Sequence, residues 1–281
     1  MVDSYCIYNG HLISLYEPAI SFSNRAFRYG DSLFESIRYT NGKIMFLSDH
    51  VKRIKLSMTT LRMNVPAEFT SGNIEQLIVH LLEQNNIKQD ARIRLTVFRN
   101  EGGFYTPDTN DISFLIESEV LDTKGYTLNQ KGMWVDIYAE IKKQINKISN
   151  LKTGSALLYV MAGITKTSLK LDDCLLVNDN GNIIESISSN IFVVKNGTLY
   201  TSPITDGCID GVMRKQILDI AAQNKILTFE QPLTVHTLTN GDEVFLTNAI
   251  KGIQWVGQFK NKFYTNQKSV FFTEKLNELA R

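Results

Sequence analysis

Cysteine is scarce in this chain: Cys6, Cys174 and Cys208 are the only three in 281 residues, and none has a CxxC partner or a nearby histidine. An odd, dispersed set makes neither a disulfide framework nor a zinc site, so reduced and buried thiols are expected. Long apolar runs are also missing. None approaches the roughly 20 residues needed to span a bilayer, and residues 1–5 lack the basic and apolar segments of a secretion signal. An excess of one charge is absent too. Thirty Lys+Arg against 29 Asp+Glu leave a net charge of +1, which gives no general attraction to nucleic acid or anionic membrane. Short basic clusters such as Lys52-Arg53-Ile54-Lys55 and Lys142-Lys143 read as solvated faces. No GxGxxG follows a strand, which argues against a doubly wound nicotinamide-binding fold. These absences lead to the expectation of a soluble cytoplasmic protein.

What is present is turn chemistry. Asn-Gly occurs at 9–10, 41–42, 180–181, 196–197 and 240–241, and four of these pairs lie between β-branched or aromatic runs, a strong hairpin signal. Hairpins are expected from 5–8 with 12–15 and from 34–40 with 43–46. Val51, Ile54, Met58 and Leu61 recur at helical spacing over 48–63, with Ser48 as N-cap, and 72–84 reads as a second amphipathic helix. Strands at 92–98 and 112–117 complete an α+β domain over 1–120. Residues 121–132 are polar and aperiodic and read as a linker. The remainder, 133–281, predicts strands at 133–139, 174–177, 182–187, 191–194, 199–201 and 244–246. Helices are expected there at 155–168, 212–223 and 269–279.

Three features carry chemistry. Lys152 sits between Leu151 and a Thr-Gly step that opens an apolar helix. Poor solvation there would favour the neutral amine that attacks a carbonyl; the alternative is a surface lysine on a loop. Glu185 ends an Asn-Gly hairpin strand, with Ser186, Ser188, Ser189 and Asn190 close by to orient a carboxylate. In Gly207-Cys208-Ile209-Asp210-Gly211-Val212-Met213-Arg214 a glycine loop runs into a helix, so Val212 and Met213 would offer N–H groups to an anion, unless this is an ordinary helix start. Arg53 shares a helix face with His50 and has the fork geometry that suits phosphate. An amine, a buried carboxylate and a phosphate cradle are what pyridoxal 5'-phosphate requires.

With those residues in view, the chain resembles the class-IV, fold-type IV pyridoxal-phosphate enzymes: branched-chain and D-amino-acid aminotransferases and 4-amino-4-deoxychorismate lyase. The resemblance rests on residues 24–38 (Asn24 to Arg38), His50-x-x-Arg53, Lys152, Glu185 to Phe192 and Gly211 to Arg214. It implies an α+β N-terminal domain, a barrel-like C-terminal α/β domain and a homodimer. It makes Lys152 the Schiff-base lysine, Glu185 the partner of the pyridine nitrogen, and Arg53 with the Val212 and Met213 amides the phosphate site. Asn248 is expected on the cofactor side, and Glu35, Arg38 and Arg94 on the substrate side. No metal is called for.

The subfamilies diverge at particular positions. Aminotransferases of the family place a phosphate-binding threonine where Ala249 stands, and Asn248-Ala249 resembles the lyase, as does the stretch 99–107. Phe34-Glu35-Ser36-Ile37-Arg38 resembles the transaminases, though some lyases share it, and Arg94 resembles the substrate-side arginine of bacterial branched-chain enzymes. The Arg-x-His carboxylate trap of D-alanine aminotransferase has no counterpart. The family's tyrosine five residues after the lysine is Leu157 here, which leaves Tyr159 as a substitute to be examined. The expected activity is amino-group transfer between an amino acid, branched-chain type favoured, and a 2-oxo acid. The lyase and a non-catalytic cofactor-binding homologue are the alternatives.

Overall fold

At Asn9-Gly10, Asn41-Gly42 and Asn196-Gly197 both residues have positive φ, the type I' geometry whose twist matches that of paired strands. The other two pairs serve differently: only Gly181 is left-handed in its pair, and Asn240 caps the C-terminus of a helix. The computed structural model describes residues 4–17 and 20–281. The chain divides into two units, one of Met1–Gly125 with Leu151–Ser155 and Ala280, the other of Tyr126–Asn150, Ala156–Leu279 and Arg281. The crossing at Gly125 falls inside the stretch read as a linker, but the return of Leu151–Ser155 to the first unit is not visible in composition.

The first unit contains β1 (Tyr5–Tyr8), β2 (His11–Ser14), α1 (Arg25–Tyr29), β3 (Ser32–Thr40), β4 (Lys43–Ile44), α2 (Leu47–Thr60), α3 (Ser71–Gln84), β5 (Ala91–Arg99) and β6 (Ile112–Val120). Its strands form one antiparallel sheet in the order β2-β1-β6-β5-β3-β4. Ile37, Leu95, Ile54, Met58, Ile78 and Leu81 from sheet and helices form its buried core, each such side chain contributing about 1.5–3 kcal/mol. Helix α2 begins at Leu47 from a left-handed Phe46 with no side-chain cap. The N-cap expected at Ser48 is therefore corrected: that residue is already inside the first turn.

The second unit contains β7 (Met133–Lys143), α4 (Leu157–Ser168), β8 (Asp173–Asn178), β9 (Ile183–Ser186), β10 (Asn190–Lys195), β11 (Thr198–Thr201), α5 (Val212–Gln223), β12 (Thr228–Glu230), α6 (Val235–Thr239), β13 (Glu243–Asn248), β14 (Gly252–Phe259), β15 (Lys262–Phe263) and α7 (Gln267–Leu279). Strands run in the order β10-β13-β14-β7-β8-β9, and the pairing of Glu185 with Asn190 brings β9 back to β10. That closure makes the barrel. A buried cluster drawn from its strands includes Leu175, Ile183, Ile191, Leu246 and Val256. Helix α4 corrects another expectation. Its apolar composition predicts burial, yet within this chain only Ala162 is buried, and Leu157, Val160 and Ile164 are 77%, 53% and 58% exposed.

Candidate active site

In the first unit, Leu151–Ser155 lies along β3. The Phe34 N–H donates to the Lys152 carbonyl (2.9 Å) and the Gly154 N–H to the Ser32 carbonyl (2.8 Å). A Cβ on Gly154 would stand 2.1 Å from Ser32 Oγ, so a larger residue there would have to turn that hydroxyl aside. The pairing sets Lys152 beside Phe34, and Lys152 Nζ lies 4.1 Å from the centroid of that ring. The Arg94 guanidinium carbon is also 4.1 Å from the centroid. Register explains this. Ser36 pairs with Arg94 and Phe34 with Thr96, so Phe34 and Arg94 are diagonal neighbours on one face. Cations over an aromatic face gain about 0.5–2 kcal/mol. Among the described residues no carboxylate lies within ion-pair distance of Arg94. The sequence reading singled out the amine and the guanidinium but not the ring that gathers them.

Arg53 is held by Glu35. Its Nε donates to Oε1 (2.8 Å) and its Nη2 to Oε2, while His50 Nδ1 lies 2.7 Å from Oε2. Burial alone would raise the Glu35 carboxyl, but Arg53 first and His50 second bring it down from 4.5 to about 2. Burial lowers the His50 pKa, so we assign a neutral ring that donates through Nδ1–H. Glu35 is 1% exposed with both oxygens occupied, which corrects its expected contact with substrate: it orients Arg53. Arg38 is likewise corrected. It is buried, and its Nη2 donates to Asp90 Oδ2 (2.6 Å) and to the Thr123 carbonyl (2.7 Å), a framework ion pair that the 52-residue separation hides.

In the second unit, Glu185 is 2% exposed and accepts three hydrogen bonds. Lys143 Nζ (2.6 Å) and Tyr159 Oη (2.9 Å) donate to Oε1, and the Ile209 N–H (2.7 Å) donates to Oε2. Burial and then the Glu185 anion push the Tyr159 phenol far above its ordinary pKa, so it remains a donor. Lys143 also donates to Tyr159 Oη (2.9 Å). This overturns the reading of Lys143 as solvated, since its side chain is 10% exposed, while its neighbour Lys142 is exposed as read. Tyr159 thus bonds Glu185, whereas Leu157, the position five residues after Lys152, is 77% exposed.

Helix α5 starts from Gly211 with no side-chain cap and no acid in its first turn. Asn190 Nδ2 donates to the Ile209 carbonyl (2.7 Å), and its Oδ1 stands 1.9 Å from where a Gly211 Cβ would be. Val212 and Met213 thus begin an uncapped helix end suited to an anion. Asn248 is committed locally: its Nδ2 donates to Ser189 Oγ and its Oδ1 accepts from the Ile250 and Lys251 amides. It also lines a cavity of about 200 Å³ with Ser188, Ser189, Lys166, Lys251 and Asp173.

The family model for amino-transferase class IV matches residues 32–259. The chain belongs to this family. The class IV chain is 30% identical over 260 residues to a probable branched-chain-amino-acid aminotransferase of Rickettsia typhi, covering 90% of this chain and 88% of that relative. It is 25% identical over 249 residues to the D-alanine aminotransferase of Bacillus licheniformis, covering 86% and 83%. Its fold matches the crystal structure of the Thermobaculum terrenum branched-chain amino acid aminotransferase in its PLP form, with a TM-score of 0.86 at 20% identity over 99% of this chain and 94% of the other. The α+β sheet and closed barrel are therefore those of fold-type IV class IV enzymes.

Proposed function

We propose that this class IV enzyme binds pyridoxal 5'-phosphate and transfers an amino group from an amino acid, branched-chain type favoured, to a 2-oxo acid. The observation that carries this reading is the Lys152 amine and the Arg94 guanidinium, each 4.1 Å from the Phe34 ring centroid. An amine for an aldehyde and a cation for a carboxylate are the two groups an amino-acid substrate calls for. The chain's donors suit the cofactor. Asn190 packs against Gly211 so closely that a Cβ there would clash, and the α5 terminus that follows has no side-chain cap. Glu185 is a buried carboxylate for a ring nitrogen. When bound, the cofactor supplies an aldehyde and a ring that spreads the charge left when Cα loses its proton.

The chain's residues do the rest. Lys152 would hold the cofactor's aldehyde and, once displaced from it by the substrate amine, would serve as base and acid for the proton at Cα. In the first unit Arg53, its guanidinium oriented by Glu35 and His50, and in the second unit the Val212 and Met213 amides are each suited to phosphate oxygens. Arg94 takes the substrate carboxylate, and Phe34 offers it an apolar wall. The exposed stripe Leu157, Val160, Met161 and Ile164 on α4 supports a homodimer, since a patch of this kind marks an interaction face. Three buried free thiols accord with a cytoplasmic location.

The test is to incubate holoenzyme with leucine, isoleucine or valine alone. Appearance of the pyridoxamine spectrum with the matching 2-oxo acid supports transamination. The lyase reading is favoured by Ala249 at the family's threonine position, with Asn248 tied into its own turn. Pyruvate release from 4-amino-4-deoxychorismate, with no response to any amino acid, would replace the first reading with that one.

A further inference from the structure

The Glu185 carboxylate is shared. Lys143 ends β7, and register shows how it arrives there. Tyr138 pairs with Leu176 and Lys143 with Asn178, so five steps on β7 match two on β8. On the other side of β8, Glu185 pairs with Leu176 but Ile183 with Val177, a second irregularity. Bulges re-aim side chains, and these two bring an ammonium and a carboxylate to 2.6 Å across β8. With Tyr159 also on Oε1 and the Ile209 N–H on Oε2, three of the carboxylate's roughly four acceptor positions are taken.

We propose that Lys143 is a positioning residue that sets how firmly the ring nitrogen of a bound cofactor keeps its proton, by competing with it for Glu185. This rests on the cofactor reading above. A pyridinium N–H donating to the remaining position on Oε2 would share one negative charge with a fixed ammonium. Proximity of that second cation disfavours the protonated ring. The other groups facing Glu185 do not supply this effect. Tyr159 from α4 stays neutral, and burial, followed by the Glu185 charge, pushes the Cys208 thiol up to about 11. Arg214 from α5 is engaged by Glu230 and the Ser202 carbonyl. Ring protonation governs how much charge the cofactor withdraws from Cα, so Lys143 would tune the rate of proton loss relative to its return.

The experiment uses holoenzyme reconstituted with cofactor labelled with 15N in the ring. The nitrogen shift is followed against pH in wild type, Lys143→Gln, Lys143→Arg and Tyr159→Phe, and each protein is also reduced with borohydride and peptide-mapped. Lys143→Gln keeps a donor and drops the charge, which guards against loss of the fold. The expected result is that ring deprotonation moves up by about 1–3 pH units in Lys143→Gln. Lys143→Arg should follow wild type, and Tyr159→Phe should shift less than Lys143→Gln. Coincident titrations of wild type and Lys143→Gln, with the label on Lys152, overturn this proposal and leave the cofactor reading standing. Label on Lys143 overturns it by making that residue the attachment point, and a wild type that takes up no cofactor overturns both.

Discussion

Asn190 Oδ1 occupies the space that a side chain on Gly211 would need, 1.9 Å from its ideal Cβ. The backbone of Gly211 is ordinary, with φ −72°, so the requirement for glycine there is one of space rather than conformation. Asn190 in turn is fixed by its bond to the Ile209 carbonyl. Gly211→Ala should therefore displace Asn190 or the start of α5, at about 1–3 kcal/mol. Cofactor titration followed by absorbance should show affinity lower by about tenfold or more. Asn190→Ala in the same protein should return part of the loss. Unchanged affinity in the single variant would rule out the α5 terminus as the phosphate cradle.

Glu35 predicts acid behaviour. Its folded pKa of about 2 lies below the ordinary 4.5, so the fold binds the ionised form more tightly. That stabilisation is fully present above about 4.5 and is lost as pH falls through about 2. Glu35→Gln removes the buried anion from the partly buried Arg53 and should cost about 1–3 kcal/mol near neutrality. The gap in urea midpoint between wild type and variant should close as pH falls. A gap that stays constant down to acid pH would mean that the charge of Glu35 contributes nothing.

Lys152→Ala should leave the far-UV spectrum unchanged, because the segment is held through its backbone amides and carbonyls. Borohydride should no longer fix cofactor to protein, and turnover should fall by about two to four orders of magnitude. A labelled peptide containing residue 152 in wild type is the direct check. Full activity in the alanine variant would transfer the role elsewhere.

The α4 stripe predicts association. Ile164→Glu, at a position 58% exposed, should leave the monomer folded. If the stripe is the contact between copies, sedimentation should show the wild type at twice the chain mass and the variant at the chain mass. Equal masses for the two proteins would assign the stripe another partner.

How much of this was legible in the chain follows from how local each signal is. The hairpins at Asn9, Asn41 and Asn196 could be read because the turn itself demands Asn-Gly, and α5 because a glycine loop precedes an amphipathic run. Strand β14 was missed: Gly257 breaks its alternation, and that glycine is there because a Cβ would lie 2.9 Å from Gly132 Cα, a contact far away in sequence. Lys152 and Glu185 were singled out through residue type and local setting. Their neighbours were not, because Glu35 with Arg53, Arg38 with Asp90 and Lys143 with Glu185 are joined by register and bulges rather than by sequence proximity. Solvation was the other blind spot. Lysine pairs read as wet and apolar helices as dry until the strands decide, and here both assumptions reversed, at Lys143 and on α4.

The strip Leu151–Ser155 runs beside residues 32–34 of β3, where the short β4 does not reach. A gene fragment ending at Gly125 would encode all six strands of the first sheet, yet leave the Phe34 amide and the Ser32 carbonyl without their native mates. Its complement would carry Lys152 with nothing to lie against. Splitting this polypeptide at its apparent seam thus dismantles the reactive amine's seat, and swapping either half with that of a relative must carry both sides of this five-residue stitch together.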